Sequence, residues 1–306
     1  MPEYRQSTIK NNLVLRTRII QALRVFFTGR NYLEVDTPVR IPAPAPEAHI
    51  DAVTSDGHFL QTSPELHMKR LIAAGFPRIF QICKCFRQYE RGRKHLPELT
   101  MLEWYNAGNN YFDLMEECED FIGQLAANLG REHRINYGDR RIELAKPWQR
   151  LSVAEAFQQY GSISMGEALD ADTFDEVMAL DIEPHLGDPV PVFLYDYPVR
   201  HGALARIKPQ DPSLAERFEL YIAGLELCNG FSELTDAAEQ RNRFENEQHL
   251  RLSLNKPVYP MPERFLQALA DLPEAAGNAL GIDRLVMLFA DTENIDDVVA
   301  FTPEEL

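Results

Sequence analysis

The chain has 306 residues, 45% hydrophobic and 25% charged, with a formal charge of -16, enough to bury a large core in one domain or two small ones. No apolar run reaches the roughly 20 residues that a membrane-spanning helix needs, and the N-terminal MPEYRQSTIK has no signal-peptide core. The acidic balance speaks against a bare phosphate-backbone binder, and Cys83, Cys85, Cys118 and Cys228 form no C-x-x-C pair, which predicts a reduced, cytoplasmic protein without structural zinc.

Leu15, Ile19, Leu23 and Phe26 recur at helical spacing and predict a core-packed helix from Leu13 to Phe27, with Gly29 as its stop. Tyr32 to Thr37 reads as a short strand ending at Pro38, and Ile41 to Pro46 as a proline-rich connector. Ser63 and Pro64 have the chemistry of an N-cap and a first helical residue, opening a helix that runs to Gly75. Glu65 falls in its first turn, where the helix dipole favours a carboxylate; on the residues alone that explains it.

Phe86 to Tyr105 reads as the hairpin around which the chain is organised. Phe80, Ile82 and Phe86 form the apolar side of the first arm and leave Gln81, Cys83, Cys85 and Arg87 on the other. Leu99, Met101, Glu103 and Tyr105 share a face on the return arm. The loop between, with Arg91, Gly92, Arg93, Lys94 and His95, is too long for a two-residue turn and suits an anionic ligand the size of a nucleotide.

Asp113 to Leu129 is an amphipathic helix with Leu114, Cys118, Phe121, Ile122 and Leu125 inward. Ser152 and Glu155 form a capping box, and residues 131–191 are assigned to a helical insertion over the sheet. Arg217 to Cys228 reads as a second hairpin turning at Ala223-Gly224; with Ile222 opposite Leu225, Tyr221 faces Glu226 and Glu219 lies diagonally beside Glu226. Such acids suit magnesium, although paired acids on a strand are more often simply solvated. Gly281 to Leu288 reads as a strand running into a helix, with Asp283 and Arg284 at the junction.

Five stretches in order resemble the class II aminoacyl-tRNA synthetases in their lysyl form. FTGRNYLEVDTP at Phe27 to Pro38 is similar to motif 1, Phe86-Arg87-x-x-Glu90 followed by HLPELTMLEWY to motif 2, and ALGIDRLVML at Ala279 to Leu288 to motif 3. TSPELHMKRL at Thr62 to Leu71 and RFELYIAGLELCNGFSELTDA at Arg217 to Ala237 are lysyl-type signatures. The resemblance implies an α+β catalytic core, an antiparallel sheet flanked by helices, spanning 1–306 as one domain, and a homodimer built through motif 1.

It also implies the site. Arg87, Glu90, His95, Leu99, Glu219, Glu226 and Arg284 would bind ATP, with Mg2+ on Glu219 and Glu226 and catalytic roles for Arg87 and Arg284. Glu65, Arg87, Glu103, Tyr105, Asn229, Glu233 and Ala279 would hold the amino acid. Two carboxylates, Glu103 and Glu233, around one side-chain position demand a cationic substrate such as lysine or an isomer. No protein nucleophile is expected.

Two positions depart from the lysyl pattern: Ala279 stands where glycine is usual and Leu99 where an adenine-stacking phenylalanine is usual. A methyl beside the substrate's α-amino group disfavours an α-amino acid and leaves room for a β-amino isomer. The synthetases also carry an N-terminal β-barrel that reads the anticodon, whereas here the motif 1 helix begins near Leu13, so tRNA is not the expected acceptor. The chain therefore resembles the branch of the family that attaches (R)-β-lysine to a lysine side chain of translation elongation factor P. A minimal lysyl-tRNA synthetase, another lysine-activating or asparagine-type ligase and a non-catalytic regulatory paralog are the alternatives.

Overall fold

A computed structural model describes residues 4–202 and 204–306. The alternating stretches of the sequence pair into one eight-stranded sheet. Its strands are β1 Leu33–Glu34, β2 Arg78–Phe86, β3 Glu98–Ala107, β4 Gln149–Ser152, β5 Val192–Pro198, β6 Leu214–Ile222, β7 Leu225–Ser232 and β8 Ala275–Gly281, in the order β1-β2-β3-β8-β7-β6-β5-β4. Strands β2 to β5 in that row are antiparallel throughout, and a parallel strand closes each edge. The sheet and its helices are the α+β arrangement expected from the motifs.

Helices α1 Lys10–Gly29, α2 Glu65–Ala73, α3 Tyr111–Asn128, α4 Ala237–Ser253 and α5 Ile282–Ala290 flank the sheet. On one face α1, α3 and α5 bury the main core against Phe80, Trp104, Phe193 and Phe218. Of the predicted stripe of α1, Ile19, Leu23 and Phe26 are buried and Leu15 is only partly so, while Phe27, also buried, stacks on Phe80 with ring centroids 5.1 Å apart. Removing these rings from water is the main term favouring this layer. On the other face, α2 packs Leu66, Met68 and Ile72 against Ile79, Tyr105 and Phe231.

The buried carboxylate of Asp283, at the start of α5, ties three elements together. It accepts from Arg16 Nη1 of α1 at 2.6 Å and from the Thr100 N–H of β3 at 2.7 Å. A charge this buried is tolerated because it is paired and hydrogen-bonded.

The β6–β7 hairpin turns at Ala223 (φ 55°) and Gly224 (φ 71°), the two left-handed residues of a two-residue turn. Its register departs from a regular ladder. Tyr221 faces Glu226 as expected, but Leu220 then faces Cys228, so Leu227 is the extra residue of a β-bulge. Glu219 consequently stands opposite Asn229 instead of lying in the plain diagonal of an unbroken ladder.

Between 131 and 191, where a helical insertion is expected, the chain first forms the ribbon Arg134–Tyr137 with Arg140–Glu143 and the edge strand β4. Helical turns follow from Val153 to His185, and Phe157, Phe174 and Ile182 pack on Leu194 and Tyr221 at that end of the sheet. Among the described residues no helix is long and apolar enough to cross a membrane.

Candidate active site

Strand register places the candidate residues in rows across the face on which α2 packs. Gln81 is opposite Glu103, Glu103 opposite Ala279, Ala279 opposite Asn229, and Asn229 opposite Glu219. Residues paired in this way point to the same face. The adjacent row runs Tyr105, Gly277, Phe231, Arg217. Gly277 is required there: a Cβ would lie 2.5 Å from Glu233 Oε1 and collide with the Tyr105 ring.

At the α2 end these rows meet a cluster of buried acids. Glu103 Oε1 accepts from Ser63 Oγ at 2.6 Å, and its Oε2 accepts from the Tyr105 hydroxyl at 2.9 Å. Ser63 Oγ in turn accepts the Glu65 N–H at 3.0 Å, but the helix begins one residue later than expected, at Glu65, with Pro64 and not Ser63 in the N-cap position. Lys69 Nζ sits 2.5 Å from both Glu65 Oε1 and Glu233 Oε2. The side chain of Glu233 is 0% exposed, and neither of its oxygens receives a hydrogen bond although Oε2 ion-pairs with Lys69; Oε1 has no ion-pair contact at all. Burial and the neighbouring Glu65 carboxylate push Glu103 up to about 8. Burial likewise pushes Glu233 up to about 8 against the pull of Lys69. This is a cluster of buried acids short of positive charge, and its unpartnered carboxylate oxygens call for a cationic donor.

The other end of the face is built for anions. Arg87, at the end of β2, has a buried Nε without a partner and lies 3.8 Å from Glu90. Arg284 Nη1 donates to Glu226 Oε2 at 3.0 Å and to its carbonyl at 2.9 Å, and Nη2 donates to His95 Nε2 at 2.6 Å. Because an arginine only donates, that histidine nitrogen is the acceptor. Partial burial and the Arg284 charge hold His95 below its usual range, in keeping with a neutral ring.

Glu219 accepts from Arg217 Nη2 at 2.5 Å through Oε1, and from the Tyr197 and Tyr221 hydroxyls at 2.6 and 2.7 Å through Oε2. These donors take three of the roughly four lone-pair positions of a carboxylate, so Oε1 keeps room for another ligand. Leu99 lies on the site face opposite Cys85, partly buried.

Residues 2–305 match the family model described as tRNA synthetases class II (D, K and N). The chain belongs to that family. Among the curated proteins it is 42% identical to the elongation factor P–(R)-β-lysine ligase of Pectobacterium carotovorum, over 96% of this chain and 95% of that one. It is 40% identical to the protein of the same name from Hamiltonella defensa, over 96% and 95%, and 41% identical to that of Vibrio atlanticus, over 96% of each. Membership in this class II family carries ATP use with it.

Glu65, Glu103, Tyr105 and Glu233 thus converge at one end of the face and Arg87, Glu90, His95, Glu226 and Arg284 at the other, with Asn229, Ala279 and Glu219 in the row between. Sequence reasoning missed Lys69, Arg217, Tyr197 and Gly277. Lys69 could have been found from its i,i+4 spacing to Glu65, and Arg217 from its same-face spacing to Glu219. Nothing local marks Tyr197 or Gly277, whose roles come from neighbouring strands.

Proposed function

We propose that this chain activates (R)-β-lysine with ATP and transfers it to a lysine ε-amine of translation elongation factor P. The observation that carries the reading is the buried pocket of Glu65, Glu103 and Glu233, in which Glu233 Oε1 lacks a donor. The shared name of the Pectobacterium, Hamiltonella and Vibrio relatives supports it.

Glu103, Tyr105 and Glu233 would take the distal ammonium, Glu65 the other amine and Asn229 the carboxylate. Arg87, with its free Nε, would draw the substrate carboxylate and the α-phosphate of ATP together. A carboxylate oxygen attacks the α-phosphorus, the bond to pyrophosphate breaks, and an acyl-adenylate remains. The acceptor amine then attacks its carbonyl, an amide forms, AMP leaves and the amine proton passes to solvent. Arg284, His95 and the Arg87–Glu90 pair would hold the nucleotide, with Leu99 giving adenine apolar contact.

Glu219 and Glu226 suit Mg2+ by their hard oxygens and by the free position on Glu219. Bound there, the ion would neutralise charge on the triphosphate. The chain would act as a cytoplasmic homodimer, a reading supported by Val14, Val25 and Leu33, left 53%, 64% and 51% exposed on the motif 1 helix and edge strand. Transfer RNA is not the proposed acceptor.

ATP–pyrophosphate exchange with α-lysine, (R)-β-lysine, (S)-β-lysine and asparagine tests this, followed by label transfer to elongation factor P or tRNA. The expected result is exchange with (R)-β-lysine and transfer to the protein, with Ala279→Gly shifting preference toward α-lysine by about tenfold. Preference for α-lysine with tRNA charging, or no exchange at all, overturns it.

A further inference from the structure

The ammonium of Lys69 has no part in the reaction as described, yet it lies at the centre of the acid pocket with a side chain only 1% exposed. Its remaining surroundings are aromatic, with the Phe231 ring centroid at 4.9 Å and that of Phe265 at 5.9 Å. We propose that Lys69 is a positioning and specificity-determining residue, a built-in counter-ion that matches the pocket to a substrate with two ammonium groups. The inference rests on the reading of this pocket as the amino-acid site.

Charge count supports it first. Glu65, Glu103 and Glu233 carry three negative charges when ionised, and Lys69 returns one. The deficit of two equals the two ammonium groups of a lysine isomer whose carboxylate is held elsewhere, by Arg87. A monoamino acid of similar length leaves one buried carboxylate unpaired, which is unfavourable unless that carboxylate takes up a proton.

Geometry supplies the second argument. Lys69 ion-pairs with Oε2 of Glu233 at 2.5 Å, neither oxygen of that carboxylate receives a hydrogen bond, and Oε1, which has no ion-pair contact either, is left for the incoming cation. Lys69 also bridges helix and sheet, joining Glu65 on α2 to Glu233 just beyond β7, so one ammonium fixes the two carboxylates meant for different ends of the substrate.

The other titratable groups facing the cluster fit this arrangement. Tyr105 on β3 is held well above its usual range by burial and by Glu103, and stays a neutral donor. Glu47, just after the connector, is pushed up to about 7 by burial and by Glu65, with Arg87 and Arg217 opposing the shift. Burial works against the Lys69 charge, but Glu233 and Glu65 outweigh it and hold the ammonium above its ordinary range.

The test is the pH profile of kcat/KM for (R)-β-lysine in wild type, Lys69→Met and the double variant Lys69→Met/Glu233→Gln. The single variant is expected to raise KM about tenfold or more with kcat within about threefold. It should also move the acidic limb up by about one pH unit, because carboxylates deprived of a cation ionise later. The double variant restores the charge deficit of two and should bring the limb back to within about half a unit of wild type, even though KM stays high.

A limb that does not move in the single variant, as a purely structural lysine predicts, overturns the proposal, and so does a limb that moves in the single variant but does not return in the double. If Lys69→Met does not fold, the double variant is compared with wild type by the same criterion. Carboxyl 13C titration of Glu233 in the substrate-free protein reads the effect independently of the reaction. An upward shift in Lys69→Met there supports the role even if wild type activates none of the four amino acids, and an unchanged titration overturns it.

Discussion

Ser63 Oγ donates to Glu103 Oε1 at 2.6 Å, so the residue that accepts the Glu65 N–H at the start of α2 also aims a buried carboxylate on β3. Ser63→Ala is expected to lower stability by about 1 kcal/mol through the lost hydrogen bond to that N–H. It should also raise KM for the amino acid about tenfold through the loosened carboxylate. Thermal unfolding and exchange kinetics measured together check it, and a stability loss with unchanged KM refutes the aiming role.

The pocket makes stability depend on pH with a definite sign. Glu103 and Glu233 are both pushed up to about 8 from an ordinary 4.5. The folded state therefore holds protons that the unfolded state has released. This contribution is fully present below 4.5 and is lost as pH rises through about 8. The difference in Tm between wild type and Glu103→Gln should accordingly become more unfavourable to wild type from about pH 5 to about pH 9. Substrate cations should reverse the trend, giving their largest thermal protection at the alkaline end, and a flat difference would show that Glu103 titrates normally.

Gly277 leaves no space for a side chain, since a Cβ would meet Glu233 Oε1 at 2.5 Å and the Tyr105 ring. Gly277→Ala is expected to destabilise by about 1–3 kcal/mol through overpacking. Amino-acid activation should fall at least about a hundredfold, as a displacement of about 1 Å of the carboxylate and phenol suffices for such a loss. Retained activity with a normal KM would mean that this end of the face does not hold the substrate.

At the opposite end, Glu226 accepts from Arg284 and lies on the same face as Glu219. Glu226→Gln should lower kcat of exchange by about 10² to 10³ and shift the magnesium dependence to higher concentration. EDTA should abolish exchange in wild type and added Mg2+ restore it. Full activity in EDTA would remove the metal role from both glutamates.

Much of this architecture was legible because periodicity encodes which way a side chain faces within one element. The α1 stripe, the α3 stripe, the β2–β3 hairpin and the two-residue turn at Ala223-Gly224 all follow from spacing and turn chemistry, and the structure contains each of them. The candidate acids were found through resemblance, since an isolated glutamate on a strand carries no mark of its purpose.

Strict alternation puts Glu226 and Asn229 on opposite faces, because they are an odd number of residues apart. The bulge at Leu227 turns both onto the site face, and Leu227, Cys228 and Leu220 are all buried in the core. The same holds for Lys69 and Glu233, which meet only after α2 has docked on the sheet. The sequence by itself determined the family, the strand faces and most of the chemical groups. Only the tertiary structure decided which of those groups share a pocket, because that depends on register and packing between segments far apart in the chain.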